Sequence, residues 1–372
     1  MKSKVAILGC ANYDPSLVDQ KLSQLISLLG GLEQFIRPGS KVLVKPNMLM
    51  AKPPEAGITT HPAVVRAVIR QLLKLDCRVW VGDSPSVWGK YIENVDQVYQ
   101  VCGIKQLCLE EGVQLVSFEK RRMRRDFPLA SVLDQVDALV NIPKLKTHEL
   151  MLITGAIKNL FGLVSGTFKT ELHKSNFHPE DFARVLLDIY EQAKPNITIV
   201  DGILAMEGDG PATSGKLRDL GLLLAGNDAV AIDSVIADII GVKPEDCFTI
   251  QEARRRQIGR SKLSEIEIVG EDYRALKIKP FLLPASARKN KLPKVILNII
   301  SRLIRYYPLV LKKKCLSCSA CVNICPQKCV SLKEGGIRFN YTKCIACFCC
   351  QEACPAAAIR VKKSLLAKLI GL

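Results

Sequence analysis

The sequence predicts an α/β fold, a mostly parallel sheet with flanking helices, followed by a small α+β domain. Three observations lead there. Apolar runs of strand length alternate with stretches of helical spacing through residues 1–280. Several of those runs end on Lys, Asn or Asp, at the edge where open α/β sheets hold ligands. Ten of the fifteen cysteines crowd between Cys315 and Cys354.

Taken in order, "KVAIL" is a first strand, and "PSLVDQKLSQLISLL" follows with Leu17, Leu22, Leu25 and Leu29 along one helical side. "KVLVKPN" is a buried strand ending at Lys45 and Asn47. "HPAVVRAVIRQLLKL" is a helix with Pro62 in its first turn. "RVWVGDS" ends at Asp83 and Ser84, and "VQLVSF" and "DALVNIPK" continue the pattern towards Lys144 and Lys146. "FARVLLDIYEQA" is an amphipathic helix before "ITIVDG", which ends at Asp201. "GLLLAGND" ends at Asn227 and Asp228 and runs into the helix "AVAIDSVIADIIG". All four histidines, His61, His148, His173 and His178, lie in polar stretches of the first half. They are candidates for acid/base work or for a second metal site, with ordinary hydrogen-bonded histidines as the alternative. "GPATSGK" matches a phosphate-binding loop only in part, because Leu217 stands where a Ser or Thr would hold magnesium, and no GxGxxG follows a strand. "GAIKNLFG" reads either as a helix start whose Lys158 and Asn159 meet an anion or as glycines that permit close packing.

The cysteines carry the strongest signal. Cys315-x2-Cys318-x2-Cys321-x3-Cys325-Pro326 recurs as Cys344-x2-Cys347-x2-Cys350-x3-Cys354-Pro355. This is the bacterial two-cluster ferredoxin spacing, in which the fourth cysteine of each run serves the other cluster. One [4Fe–4S] cluster takes Cys315, Cys318, Cys321 and Cys354, and the second takes Cys344, Cys347, Cys350 and Cys325. Zinc would have no use for the exchanged ligand. A disulfide scaffold would need export, and Met1–Cys10 shows no signal peptide. Cys329 and Cys349 fall outside the rhythm and read as small buried neighbours.

The boundaries expected are an α/β domain over 1–280, a basic amphipathic linker helix over 281–312, a two-cluster domain over 313–363 and a tail over 364–372. The linker helix rests on Leu292, Val295, Ile296, Ile299, Ile300, Leu303, Ile304 and Tyr307 at helical spacing. It packs against a domain or lies on an anionic membrane. The net charge is +17, and residues 281–372 hold 17 Lys and Arg against 2 Asp and Glu. The basic end suits an acidic partner or a membrane surface. No run of eighteen apolar residues occurs. "KRRMRR" lacks aromatic interleaving, so no nucleic-acid partner is expected.

"KPNM", "TTHPAVVRAVI", "NIPKLKTHELMLITGAIKNLFGLVSGTFKTELH", "DGILAMEGDGP" and "GNDAVAIDS" resemble the stretches that define the domain of unknown function 362 family, over roughly residues 4 to 270. The resemblance implies a cytoplasmic iron–sulfur protein, suspected of being a reductase, with a ferredoxin module behind the α/β domain. By position it points to Lys45, Asn47, His61, Asp83, Lys144, Lys146, His148, Lys158, Asn159, His173, Asp201, Glu207 and Asp228. We expect His148, His61, Lys146 and Lys45 to act in chemistry and the others to bind substrate. The expected function is reduction of a substrate held in the α/β domain by electrons from the two clusters. The alternative is an electron carrier or adaptor whose α/β domain docks a partner protein. The substrate, the electron donor, any flavin and the oligomeric state are not legible.

Overall fold

Residues 2–85, 95–164, 168–176, 178–284 and 306–364 are described by the computed structural model. The strands form where the apolar runs lie. They are β1 (Ser3–Gly9), β2 (Lys41–Pro46), β3 (Arg78–Val81) and β4 (Gln114–Leu115), then a side hairpin of β5 (Arg121–Arg124) and β6 (Phe127–Ala130). There follow β7 (Ala138–Ile142), β8 (Lys144–His148), β9 (Leu152–Thr154), the long β10 (Ile197–Gly208) and β11 (Gly215–Gly226), and β12 (Ile266–Gly270). The sheet order is β12-β1-β11-β10-β7-β2-β3-β4, with β8 on the far half of β10 and β9 on β8. The pairs β12–β1, β10–β7, β10–β8, β7–β2, β2–β3 and β3–β4 are parallel, whereas β11 is antiparallel to both its neighbours.

Neighbouring residues of the central strands bury on opposite faces. Val42 and Val44 enter one core and Leu43 the other. A strand covered on both faces needs a continuous apolar run, which is how these segments read. One face is covered by α1 (Pro15–Leu28), α2 (Pro62–Leu73), α3 (Val95–Val101) and α4 (Ile104–Glu110). The other carries α5 (Ala156–Asn159), α6 (Phe168–Ser175), α7 (Pro179–Ala193), α8 (Ala229–Ile239) and α9 (Phe248–Arg255). The "GPATSGK" stretch spans the β10–β11 turn and the start of β11, so no helix follows it as a phosphate loop requires.

The cysteine-rich end is a small module. β13 (Tyr306–Val310) pairs antiparallel with β16 (Ile359–Lys363), and β14 (Val330–Lys333) with β15 (Gly336–Phe339). Short helices Ala320–Ile324 and Cys349–Glu352 follow the two cysteine loops. This corrects the two ends of the expected linker helix. Residues 281–284 are irregular, and Tyr306–Val310 is a strand that belongs to the module ahead of residue 313. Tyr306 and Pro308 are buried while Leu309 is exposed, a period of two that β16 completes with ladder hydrogen bonds. Residues 285–305, with most of the expected linker helix, and 365–372, with nearly all of the tail, lie outside the described residues. Among the described residues no helix is long and apolar enough to cross a membrane.

Candidate functional site

Two cavities in the module are lined by cysteines in the grouping that the exchanged spacing requires. Cys315, Cys318, Cys321 and Cys354 line one, with Val310, Ile337 and Ile359. Cys344, Cys347, Cys350 and Cys325 line the other, with Pro308, Val330 and Phe339. Four thiols around an apolar void suit a [4Fe–4S] cluster, which is held by four cysteine thiolates. Cys329 also lines the second cavity, its Sγ 3.3 Å from that of Cys325. Cys349 is buried beside it, against the Cys347 carbonyl.

The carboxyl ends of β2, β3 and β8 meet the α5 turn in a pocket of about 60 Å3, room for a few waters or one small anion. Asp83 lines it and is held in a buried ion pair behind the wall, with Lys45 Nζ 2.7 Å from Asp83 Oδ1. Asp83 Oδ2 accepts from Met48 N at 2.8 Å. Burial pushes Lys45 down from the usual lysine range while Asp83 pulls it back up. Gly162 lies directly above, and a Cβ there would fall 2.1 Å from Asp83 Oδ1 and 2.6 Å from Lys45 Nζ, so only glycine lets the backbone approach the pair.

Three lysines line the pocket. Lys146 Nζ donates to Asn47 Oδ1 at 2.8 Å and to the Ile58 carbonyl at 2.7 Å. Burial, then Lys158 and Lys144, push its ammonium down to about 7. Lys169 donates to the Ser84 carbonyl, and burial pushes it down to about 7 as well. Lys158 keeps part of its side chain exposed; burial lowers it and Glu352 opposes the shift. Asn47 and Asn159 knit the strand ends together, Asn47 Nδ2 to Asn159 Oδ1 at 3.0 Å and Asn159 Nδ2 to Asn141 Oδ1 at 2.8 Å. The α5 turn that presents Lys158 is itself capped by Asp233, whose carboxylate accepts from Ala156 N at 2.6 Å and Ile157 N at 3.1 Å. The acceptor at this helix start is thus the protein's own, and burial pushes its carboxyl up to about 7 against the pull of these two N–H groups.

A second polar cluster lies beside the pocket. Lys144 Nζ is 2.9 Å from Asp201 Oδ2 and also donates to the Tyr13 hydroxyl, which donates to Asp201 Oδ1 at 2.8 Å. The His61 ring stacks on Tyr13 at 3.7 Å, its Nδ1 accepts from Ala63 N at 3.2 Å to cap α2, and its backbone N–H donates to Asp201 Oδ2. Burial pushes His61 down to about 4, so it is neutral at physiological pH. This argues against His61 as an acid. Its ring is a helix cap, and it does not line the pocket.

The module closes the pocket. Glu352, on the helix between ligands Cys350 and Cys354, reaches among Lys146, Lys158 and Lys169. Burial pushes it above the usual carboxylate range, and Lys158 and Lys146 pull it back. His148 Nε2 stands 3.5 Å from Glu352 Oε1. His148 Nδ1 accepts from Leu150 N and Met151 N, which leaves the neutral imidazole proton on the nitrogen that faces Glu352. Around this point Lys52 donates to the Pro355 carbonyl at 3.1 Å, Thr213 to the Cys354 carbonyl at 3.0 Å and Gln351 to the Asp209 carbonyl at 3.4 Å.

The structure therefore gathers Asn47, Asp83, Lys146, Lys158 and Asn159 in one pocket, with Lys45 paired behind Asp83, His148 behind Glu352, and Lys144 and Asp201 alongside. Two candidates lie elsewhere. Asp228 caps α8 through Val230 N and Ala231 N. Because β11 is antiparallel, its carboxyl end sits at the opposite edge of the sheet. Glu207 is ion-paired with Arg218 at 2.8 Å and accepts from Leu282 N, a brace across the β10–β11 hairpin. His173 is on α6, and its side chain is outside the described residues. Sequence reasoning missed Tyr13, Lys169 and Glu352. Lys169 sits within a stretch that carried the family resemblance, and Glu352 is the one charged residue inside the second cysteine run.

A family model described as a domain of unknown function (DUF362) matches residues 42–238. A 4Fe-4S dicluster domain matches residues 308–355. The chain is similar to a thylakoid-associated protein of Synechocystis sp., 31% identical over 262 residues that make up 68% of this chain and 80% of that protein. With its cysteine cavities and the dicluster match, the C-terminal module is that of an iron–sulfur electron-transfer protein.

Proposed function

The chain belongs to the domain of unknown function (DUF362) family, and from that premise we propose that it reduces the carbonyl of a small substrate whose anionic group, a carboxylate or a phosphate ester, is held at the strand ends of the α/β domain. The observation that carries the reading is Glu352, the residue between ligands of both clusters, whose carboxylate enters a pocket lined by three lysines. The bound clusters supply single electrons. The chain's own residues do the rest. Lys158 and Lys169 hold the anionic group, and the Lys45–Asp83 pair fixes the wall. A two-electron reduction also takes up two protons. Lys146, held near 7 and with one ammonium hydrogen left after its bonds to Asn47 and Ile58, is suited to donate one at neutral pH, and solvent supplies the other. His148 positions Glu352. The relative's association with thylakoids supports a peripheral membrane contact at a cytoplasmic surface as part of the same reading.

The test uses the anaerobically purified, pre-reduced protein and a panel of small carbonyl compounds that carry a carboxylate or a phosphate ester, with cluster absorbance as the readout. A substrate reoxidises the clusters of the native protein. Lys158→Met slows that step by about tenfold or more, while an artificial dye still takes electrons at the native rate. If no small molecule reoxidises the clusters and a partner protein does, the chain is a carrier and the reductase reading falls.

A further inference from the structure

The two cysteine runs are repeats of one another, yet the molecule treats them differently. In the second run Ile345 is half-buried and Phe348 is buried, and the helix that follows packs against the α/β domain through Gln351 and Glu352. In the first run the residue equivalent to Ile345 is Leu316, which is 69% exposed although it also lines the cavity of Cys315, Cys318 and Cys321. One cluster loop thus faces inward and the other faces solvent, with an apolar side chain as its outermost point.

The surroundings of Leu316 are strongly basic. Lys312, Lys313 and Lys314 precede it as one exposed turn, and Arg338 is exposed next to Ile337, which lines the same cavity. Residues 306–364 hold ten Lys and Arg and two Glu, and one of those two, Glu352, is turned into the pocket. An exposed apolar contact ringed by one sign of charge is the usual form of a transient electron-transfer interface, where charge steers the encounter and a small dry centre makes the contact.

We propose that the Lys312–Leu316 face is where electrons enter, delivered to the cluster of Cys315, Cys318, Cys321 and Cys354 by a small acidic electron-transfer protein. The donor is oxidised by one electron per encounter and the cluster is reduced by one, and no proton transfer is needed at this face. The other cluster's loop also lies near the pocket, with Cys347 within electrostatic reach of Glu352.

The probe is an acidic flavodoxin reduced to its hydroquinone, mixed anaerobically with the oxidised full-length protein in a stopped-flow instrument. Dithionite serves as a small reductant that needs no docking. With flavodoxin, the native rate falls by roughly tenfold or more between low and high salt. The triple variant Lys312→Glu/Lys313→Glu/Lys314→Glu loses most of the low-salt rate and most of its salt dependence, and keeps the cluster absorbance and the dithionite rate. A variant that reacts with flavodoxin as fast as the native protein at low salt overturns the proposal. If the variant keeps that rate but no longer binds phosphatidylglycerol vesicles, the face is a membrane contact and the proposal is likewise overturned. Neither result depends on the substrate of the pocket.

Discussion

At the scale of single residues, the pocket is defined by cations that burial has weakened. Lys146 and Lys169 both lie near 7, against a value for unfolded lysine of about 10.4. Sulfate is a suitable probe of this, because its own charge does not change near neutrality. Its affinity is expected to be highest below pH 7 and to fall by about tenfold or more towards pH 8, as the two ammonium groups release protons. Lys146→Met should weaken binding at pH 6 and flatten the profile, as read by calorimetry at pH 6, 7 and 8. A flat profile in the native protein would show that these lysines do not hold the anion. Stability without an anion moves the other way. Between about pH 7 and pH 10 the unfolded chain binds more protons than the folded one, so stability rises with pH in that window and is lost as pH falls towards 7. Little of this was legible in advance. Lys45, Lys144 and Lys146 stood at strand ends in the sequence, but their pairing with Asp83, Asp201 and Asn47 is made across the sheet.

At the scale of elements, most of the sheet was legible because burial on both faces leaves continuous apolar runs. Strand direction was not. Nothing in "GLLLAGND" distinguishes β11 from the parallel strands of the sheet, and its reversal carries Asp228 to the far edge. The cap of α5 was equally hidden, since Asp233 lies 77 residues from the N–H it accepts. That cap fixes the turn that presents Lys158 and Asn159. Asp233→Ala would leave two buried N–H groups without an acceptor, at a cost of about 1–3 kcal/mol each. We expect a clearly lower melting temperature and, in the protein that remains folded, weaker sulfate binding than in the native chain. Asp233→Asn keeps one acceptor and should lie between the two. If Asp233→Ala melts like the native protein, the carboxylate is not what holds the α5 turn.

At the scale of the whole molecule, the division into a sheet domain and a cluster module was plain from the cysteine spacing, whereas the way they meet was not. The first strand of the module was hidden in the apolar stretch expected to be helical, because Tyr306–Val310 shows its period of two only once β16 is beside it. The spacing also left Cys329 without a role, and its position changes what loss of a ligand should do. Its thiol lies 3.3 Å from that of Cys325 and faces the same cavity as Cys344, Cys347 and Cys350. A free thiol this close to a ligand position can replace it after a small side-chain rotation, since an iron–sulfur cluster requires a fourth thiolate and is indifferent to which residue supplies it. The native protein, purified anaerobically, should hold about eight iron and eight sulfide, as two [4Fe–4S] clusters require. Cys325→Ala should keep both clusters, with an altered electron paramagnetic resonance signal from one of them. Cys325→Ala/Cys329→Ala should fall to about four iron, with the cluster of the first run intact. Cys329→Ala alone should match the native protein in iron and in signal. A loss of half the iron in Cys325→Ala alone would mean that the Cys329 thiol is held away from the cluster by its neighbours and that the exchanged ligand has no substitute.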